Sequence, residues 1–229
     1  MNQGTKISRR RFLALAATAT GMAALACSGL AVLGRQRPEV VFVESSCGVE
    51  SGARRKVLIA YASQYGSTGG VADAMAQTFC KTGAAVDVRL VANVANLSGY
   101  QAIIVGSPVQ NDAWRPEAVS FVETNREALS KLPVAYFLTC MTLGLDPQPG
   151  GRARMAGVLK HVQEQIPEVT PVDRGLFAGT IPLGHLSSVI RGAYQVLGQR
   201  EGDFSGIDFR DWDAIQAWAE TAYPTLMNV

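Results

Sequence analysis

Residues 58–76 read LIAYASQYGSTGGVADAMA, and this stretch decides how the chain folds. It opens with a continuous apolar run at 58–62, and apolar residues recur at helical spacing from Val71 onward. A short apolar run that leads into a 3.6-residue period predicts a buried strand followed directly by a helix. The turn between them, residues 63–68, contains hydroxyl groups and one glycine but no charge. The sequence therefore predicts a strand–turn–helix unit with a neutral, donor-rich connection.

The same alternation of apolar runs and helical patterns continues to the end of the chain. Alternating strands and helices of this length predict an α/β fold with a parallel, doubly wound sheet. Ligands of such sheets bind at the carboxyl ends of the strands. The predicted strands are 57–62, 85–91, 102–106, 133–138 and 175–181, and the predicted helices are 71–82 (closed by Gly83), 116–129, 154–165, 186–197 and 211–221.

The N-terminal segment, residues 1–34, has the layout of an export signal. Ser8-Arg9-Arg10-Arg11-Phe12-Leu13 leads into an uncharged, largely apolar stretch that ends at Gly34. The paired arginines resemble the twin-arginine type of signal. Three outcomes are open: lipid attachment at Cys27, an uncut membrane anchor, or release. The uncut anchor is possible because about 20 apolar residues span a bilayer. We expect a cell-envelope protein that is exported across the cytoplasmic membrane and anchored to it by this segment.

Residues 35–55 separate this segment from the predicted fold. They contain Pro38, scattered Arg and Ser, and a glycine-bearing stretch at 48–52, which together predict a linker. One short extended piece is expected, Val40 to Val43. The predicted organisation is a signal or anchor at 1–34, a linker at 35–55 and a folded domain at 56–229.

The formal charge of +2 hides a difference between the two parts of this 229-residue chain. Residues 1–55 hold 8 of the 21 Lys/Arg and 3 of the 19 Asp/Glu, so residues 56–229 hold 13 basic and 16 acidic side chains. A net charge of −3 is not the basic surface of a nucleic-acid-binding domain. We therefore expect no nucleic-acid partner.

The cysteines and histidines show no metal-binding pattern. An exported chain meets oxidising conditions, so Cys47 is either free or paired. No C-x-x-C pair and no metal-ligand spacing links Cys27, Cys47, Cys80 and Cys140 with His161 and His185.

The turn at 63–68 has the chemistry of an anion site. The N-terminus of a helix presents unpaired N–H groups and the positive end of the helix dipole. A loop that binds a triphosphate needs a lysine, and no lysine occurs between Lys56 and Lys81. The dinucleotide fingerprint needs three spaced glycines, and only Gly66 lies in the turn. A single phosphate group remains as the ligand. The alternative is an ordinary connection in which Ser67 or Thr68 caps the helix.

These residues resemble the phosphate loop of flavodoxins, which bind FMN. Lys56-Val-Leu-Ile-Ala-Tyr-Ala-Ser63-Gln-Tyr-Gly66-Ser-Thr68 carries the likeness, and Ile103–Pro108 and Leu138–Thr142 resemble the second and third flavin loops. The resemblance covers about Lys56 to Leu226 and implies a five-stranded parallel sheet in the order 2-1-3-4-5 with helices on both faces. The tail at 202–213 is similar to that of one branch, the menaquinone-dependent protoporphyrinogen IX dehydrogenases.

The resemblance implies an FMN site made of three loops, without a catalytic side chain or a metal. Some roles stay open: Trp114 either stacks on the flavin ring or is a helix-entry aromatic, and Cys140 either touches the flavin or is a buried thiol. Gln110, Asn111 and Asp112 either flank the ring or only form a turn. His185 either assists proton transfer or, like His161, has no special role. The implied cofactor-binding residues are Ser63, Gln64, Tyr65, Gly66, Ser67 and Thr68, then Pro108, Val109, Gln110, Asn111 and Trp114, then Thr139, Cys140, Met141 and Thr142.

Two functions follow from the resemblance. The first is an FMN-dependent oxidoreductase that takes electrons from a small-molecule reductant and passes them to a membrane quinone. The second is a membrane-tethered electron carrier that serves a redox protein and has no organic substrate of its own. The segment at 182–192 is shorter and less charged than the insertion found there in the protoporphyrinogen dehydrogenases, so a porphyrin contact is not expected from it.

Overall fold

Strands and helices alternate along the folded part of the chain, as the sequence predicts. The computed structural model of the protein describes residues 40–48, 55–145, 148–182 and 206–228. The strands are β1 (Ser45–Cys47), β2 (Lys56–Tyr61), β3 (Ala85–Leu90), β4 (Ala102–Gln110), β5 (Ala113–Trp114), β6 (Val134–Cys140), β7 (Asp173–Ala178), β8 (Thr180–Pro182) and β9 (Gly206–Asp208). The helices are α1 (Ser67–Lys81), α2 (Pro116–Thr124), α3 (Arg126–Leu129), α4 (Met141–Leu145), α5 (Pro149–Gln165) and α6 (Trp212–Met227).

The main sheet has the predicted topology. Its five parallel strands lie in the order β3-β2-β4-β6-β7, which is 2-1-3-4-5 when the predicted strands are counted along the chain. The order reverses at β2, because the chain goes from β2 to one neighbour, β3, and then to the other, β4. Ligands of doubly wound sheets bind at such a reversal.

Helices cover both faces of this sheet, and that is why its central strands are apolar throughout. The residues from Val57 to Tyr61 are fully buried, and the residues from Val134 to Cys140 are buried as well. One face packs with α2 and α5 through residues such as Phe121 and Leu159. The other face packs with α1 and α6 through residues such as Phe79 and Ile215.

Several boundaries differ from the predicted ones because local turn chemistry or packing prevails. β4 runs on to Gln110 and turns back into β5 through Asn111 and Asp112, whose φ angles are 50° and 57°. Two residues with positive φ form a type I′ hairpin turn, so these residues are indeed turn formers. The predicted helix 116–129 is interrupted at Asn125, and the predicted strand 175–181 ends at Ala178.

The last helix is capped as predicted. The backbone N–H of Ala214 donates to the Asp211 carboxylate at 3.0 Å, and the helix continues to Met227, beyond the predicted end at 221. An acidic N-cap satisfies one of the free amide groups at a helix start.

A segment that we name the N-terminal strap, residues 40–48, lies within the predicted linker yet joins the sheet. Its strand β1 pairs antiparallel with β3, Ser45 opposite Val88, and lies five residues later than the predicted extended piece. A disulfide joins Cys47 to Cys80 with an S–S distance of 2.01 Å, so Cys47 is paired. The strap is held by covalent and side-chain contacts instead of by an apolar pattern, which is why the sequence did not predict it.

The predicted signal segment, the beginning of the linker and the predicted helix 186–197 lie outside the described residues. Within the part of the chain that the structure does describe, no helix is both long and apolar enough to cross a membrane.

Candidate cofactor-binding site

A cleft opens at the carboxyl ends of β2, β4 and β6, beside the reversal of strand order. It encloses about 500 Å³ of space that is continuous with solvent. None of its described lining residues carries a formal charge: Ser63, Gln64, Tyr65, Ser67, Pro108, Val109, Gln110, Thr139, Cys140, Met141, Gly179 and Thr180.

The turn after β2 leaves the start of α1 without a side-chain cap. The N-cap residue is Gly66, with a left-handed backbone of φ 80°, and no side-chain hydrogen bond caps the helix. Ser67 and Thr68 are the first helical residues, so the alternative in which one of them caps α1 is wrong. The amide groups of this first turn remain able to bind an anion.

Ser63 supplies a second donor to the same turn. Its hydroxyl is buried and has no hydrogen-bond partner within the described residues. A buried hydroxyl without a partner costs about 1–3 kcal/mol. Because Ser63 lines the cleft, a ligand that accepts a hydrogen bond would remove this cost.

Thr68 has a different place from the one its sequence position indicates. Its side chain is fully buried, and its Oγ1 lies 3.0 Å from Oγ1 of Thr139, which is 3% exposed. The hydroxyl is therefore engaged within the protein and does not line the cleft. Thr68 ties the start of α1 to the end of β6.

The β4–β5 hairpin forms one side of the cleft. Pro108 and Val109 line it, and the Gln110 amide donates to the Gln64 side-chain oxygen, which links the hairpin to the turn after β2. Arg115 holds the base of the hairpin, since its backbone N–H donates to the Ser107 hydroxyl at 2.9 Å.

The end of β6 forms the opposite side. Thr139, Cys140 and Met141 line the cleft, and the Cys140 carbonyl accepts a hydrogen bond of 3.1 Å from the Gly179 N–H. Cys140 is 7% exposed and its sulfur accepts from the Thr142 N–H at 3.4 Å. Gly179 and Thr180 line the cleft too, and we missed both, because they lie on a neighbouring strand connection that no local motif marks.

Trp114 lies away from the cleft. It is 3% exposed and packs edge-on against Tyr136, with ring centroids 5.1 Å apart. Of the two alternatives left open for Trp114, stacking on the flavin ring is therefore not supported, because β5 turns this side chain into the core. Ten of the fifteen predicted residues line the cleft, and the other five are Gly66, Thr68, Asn111, Trp114 and Thr142.

Only one of the two histidines lies within the described residues. His161 is exposed on α5, and His185 lies outside the described residues. No group of three or more metal-ligating side chains occurs in the described ranges. The tyrosine below the turn, Tyr61, has its pKa raised to about 12 by burial and by the Glu44 carboxylate, and its hydroxyl donates to the Val43 carbonyl at 2.8 Å.

Comparison with known proteins finds one family and several solved structures. The flavodoxin domain family matches residues 58–205. Flavodoxin 2 from Bacillus cereus is 19% identical with a TM-score of 0.46, over 74% of this chain and 98% of that one. A flavodoxin from the domain Archaea is 20% identical with a TM-score of 0.41, over 62% and 93%. No curated protein matches the chain.

A larger protein is also similar in structure. Rubredoxin oxygen:oxidoreductase from Desulfovibrio gigas is 18% identical with a TM-score of 0.43, over 78% of this chain. The chain spans only 39% of that protein's length.

The cleft fits FMN, the cofactor that the flavodoxin domain indicates. The open start of α1 and the unpartnered Ser63 hydroxyl offer donors to a phosphate group without any charged residue in the cleft lining. Pro108, Val109 and Met141 offer apolar surfaces for a flat ring system. A site that is mostly apolar with a few converging polar groups is typical for a cofactor of this size.

Proposed function

The chain belongs to the flavodoxin domain family and binds FMN, and from this premise we propose an FMN-dependent oxidoreductase of the cell envelope. In this proposal it takes electrons from a small organic reductant and passes them to a membrane quinone, as the similarity to menaquinone-dependent protoporphyrinogen IX dehydrogenases suggests. The observation that carries the proposal is the neutral, open cleft with a buried, unpartnered Ser63 hydroxyl.

The lining of the cleft supports an organic electron acceptor. Apolar side chains, Pro108, Val109 and Met141, lie at its walls, and its described lining has no formal charge. An uncharged quinone that approaches the flavin through the open side of this cleft would meet no charged lining residue whose desolvation costs free energy. Carrier proteins, in contrast, use strongly charged faces to meet their partners, and residues 56–229 have a net charge of only −3.

The residues of the chain have binding and positioning roles in this function. FMN, when bound, supplies hydride or single-electron transfer chemistry. Ser63 and the first amides of α1 would hold its phosphate, while the β4–β5 hairpin and the end of β6 would flank its ring. The Gln110–Gln64 hydrogen bond fixes the hairpin against the phosphate turn, so the two ends of the cofactor are positioned relative to one another.

The location proposed for the protein rests on its N-terminal segment. The paired arginines before the apolar stretch at 12–34 support export by a twin-arginine route, which accepts folded proteins. The Cys47–Cys80 disulfide supports an oxidising compartment. Replacing Arg9 and Arg10 by lysine should leave the protein in the cytoplasmic fraction, whereas the equally basic pair Arg54 and Arg55 should tolerate the same change. Normal export of the Arg9→Lys, Arg10→Lys variant would refute export by the twin-arginine route.

The redox function is tested on the full-length protein. Purified protein should show flavin absorbance after reconstitution with FMN, and a protein that never takes up FMN would refute the proposal. Anaerobically reduced protein should then be reoxidised by a menaquinone analogue, and protoporphyrinogen should re-reduce it with the appearance of protoporphyrin fluorescence. Reoxidation by protein acceptors alone would support an electron carrier instead.

A further inference from the structure

Arg210 is a cation held in a fixed position just outside the cleft. It follows β9, beyond the matched range 58–205, and its side chain is 18% exposed. Its Nε donates to both carboxylate oxygens of Asp208, at 2.9 and 3.1 Å, and Nη2 donates to one of them at 2.5 Å. The guanidinium also lies over the ring of Trp212, 4.4 Å from its centroid. The side chain is thus oriented by two neighbours from its own segment.

The remaining nitrogen of Arg210, Nη1, faces the start of α1. A Cβ atom placed on Gly70 would lie 2.8 Å from Nη1, so the glycine leaves the space that the guanidinium occupies. Gly70 is the fourth residue of α1, so Nη1 lies close to the first turn of this helix. Ser67, three residues earlier, is on the same helix face and lines the cleft. Arg210 therefore lies beside the helix end that offers its amides to the ligand.

The electrostatics of this arrangement point to an anion. A cation is disfavoured near the positive end of a helix dipole. The guanidinium of Arg210 donates to the Asp208 carboxylate through Nε and Nη2. Within the described residues, its third nitrogen, Nη1, donates no hydrogen bond. The Asp208 carboxylate offsets part of the repulsion between the guanidinium and the helix through Nε and Nη2, and a negatively charged group at the start of α1 would be attracted both by the helix dipole and by the side of the guanidinium that carries Nη1.

We infer that Arg210 is a phosphate-selecting residue of the cofactor site, which favours FMN over the same flavin without its phosphate. The uncharged lining of the cleft supplies hydrogen bonds to the phosphomonoester, and Arg210 supplies the positive charge from behind the first turn of α1. This inference rests on the proposed FMN site and adds a residue from the C-terminal segment to it.

The test compares FMN with riboflavin, which lacks the phosphate. Full-length apoprotein is titrated with each flavin, and dissociation constants are read from the quenching of flavin fluorescence. Arg210→Gln should raise the dissociation constant for FMN about tenfold, because the positive charge near the phosphate is lost, and should leave that for riboflavin within about twofold. The exposed Arg126 on the opposite face of the sheet, changed to Gln, should alter neither.

Asp208→Asn is the matched variant, because it breaks the same ion pair but changes the charge in the opposite direction. If charge selects the phosphate, this variant should bind FMN at least as tightly as the unchanged protein. If the pair only holds the C-terminal segment in place, both variants should weaken FMN binding together, and the inference is overturned. Circular dichroism of both variants checks that they fold. If Arg210→Gln does not fold, the FMN affinity of Asp208→Asn still tests the inference.

The failure of this inference is distinguishable from the failure of the proposed function. Equal losses for FMN and riboflavin, or no loss in Arg210→Gln, would remove the role of Arg210 and leave the FMN site intact. An unchanged protein that binds neither flavin would remove both.

Discussion

The hydroxyl groups of Thr68 and Thr139 lie 3.0 Å apart in a fully buried position beneath the cleft. This contact joins the first turn of α1 to the end of β6. It therefore connects the part of the site that would hold the phosphate to the part that would flank the flavin ring. Neither hydroxyl reaches solvent, which makes the pair a sensitive probe of how the site is assembled.

Removing one partner of this pair should cost more than removing both. Thr68→Val leaves the Thr139 hydroxyl buried without a partner and should lower the free energy of unfolding by about 1–3 kcal/mol. In Thr68→Val/Thr139→Val, two apolar groups of the same shape meet, and most of the loss should be recovered. Urea denaturation of the apoprotein measures both. A double variant that is as unstable as the sum of the single variants would contradict the pairing.

Ser63→Ala should separate stability from cofactor binding. The Ser63 hydroxyl is buried without a partner, so its removal should leave the apoprotein as stable or up to about 1 kcal/mol more stable. The same change should weaken FMN binding about tenfold, because a hydrogen bond to the phosphate dianion is lost. Ser130→Ala, at the exposed C-cap of α3 in the opposite layer, serves as the control for FMN binding. Parallel losses of stability and affinity would indicate that the hydroxyl is structural.

Two glycines with left-handed backbones should respond differently to alanine. At Gly66, φ is 80° and a Cβ would lie 2.4 Å from the Val41 carbonyl oxygen of the N-terminal strap, whereas at Gly83, φ is 87° and nothing lies within 4 Å. Gly83→Ala should cost about 1 kcal/mol from backbone strain alone. Gly66→Ala should cost clearly more, about 2–4 kcal/mol, because two backbone segments must separate. Equal thermal stabilities of the two variants would show that the strap does not press on the phosphate turn.

The disulfide should stabilise the apoprotein through the loop it closes. Cys47 and Cys80 are 33 residues apart, for which the chain-entropy relation gives about 3–4 kcal/mol. Cys47→Ala/Cys80→Ala should lose that amount in urea denaturation, and treatment of the unchanged protein with a reductant should have the same effect. The variant itself should not respond to the reductant. A response there would mean that the reductant acts on something other than the Cys47–Cys80 disulfide.

Asp87 should make the fold sensitive to acid. Burial opposes the ionisation of Asp87, but hydrogen bonds from Ser46, Tyr100 and Lys56 outweigh it and lower its pKa to about 2 from 3.8. Since the pKa is lower in the folded state, the stabilisation is complete above about pH 4 and is lost as the pH falls towards 2. It amounts to about 2 kcal/mol. The difference in unfolding free energy between the unchanged protein and Asp87→Asn should therefore shrink over this window. A constant difference would contradict the shift.

The elements that local pattern governs were predictable from the sequence. The apolar run before Ser63, the helical period after it and the Asp211 cap each depend on neighbouring residues, and the structure confirms all three. The hairpin at Asn111 and Asp112 had a signal as well, because both residues tolerate positive φ, but we treated the hairpin as one of two alternatives. The strap was not predictable, because a three-residue strand without apolar alternation depends on partners such as Cys80 and Asp87 that lie 33 and 41 residues away.

The sequence by itself determined the alternation of strands and helices and the neutral phosphate turn, because these follow from residue spacing along a short stretch of chain, and its resemblance to flavodoxins implied the strand order and the family. Only the tertiary structure decided that Trp114 is buried, that the Thr68 hydroxyl bonds to Thr139 instead of facing the cleft, and that Arg210 lies beside the start of α1. Each of these is a meeting of side chains from distant segments. Such meetings depend on how the layers pack, and no local pattern carries that information.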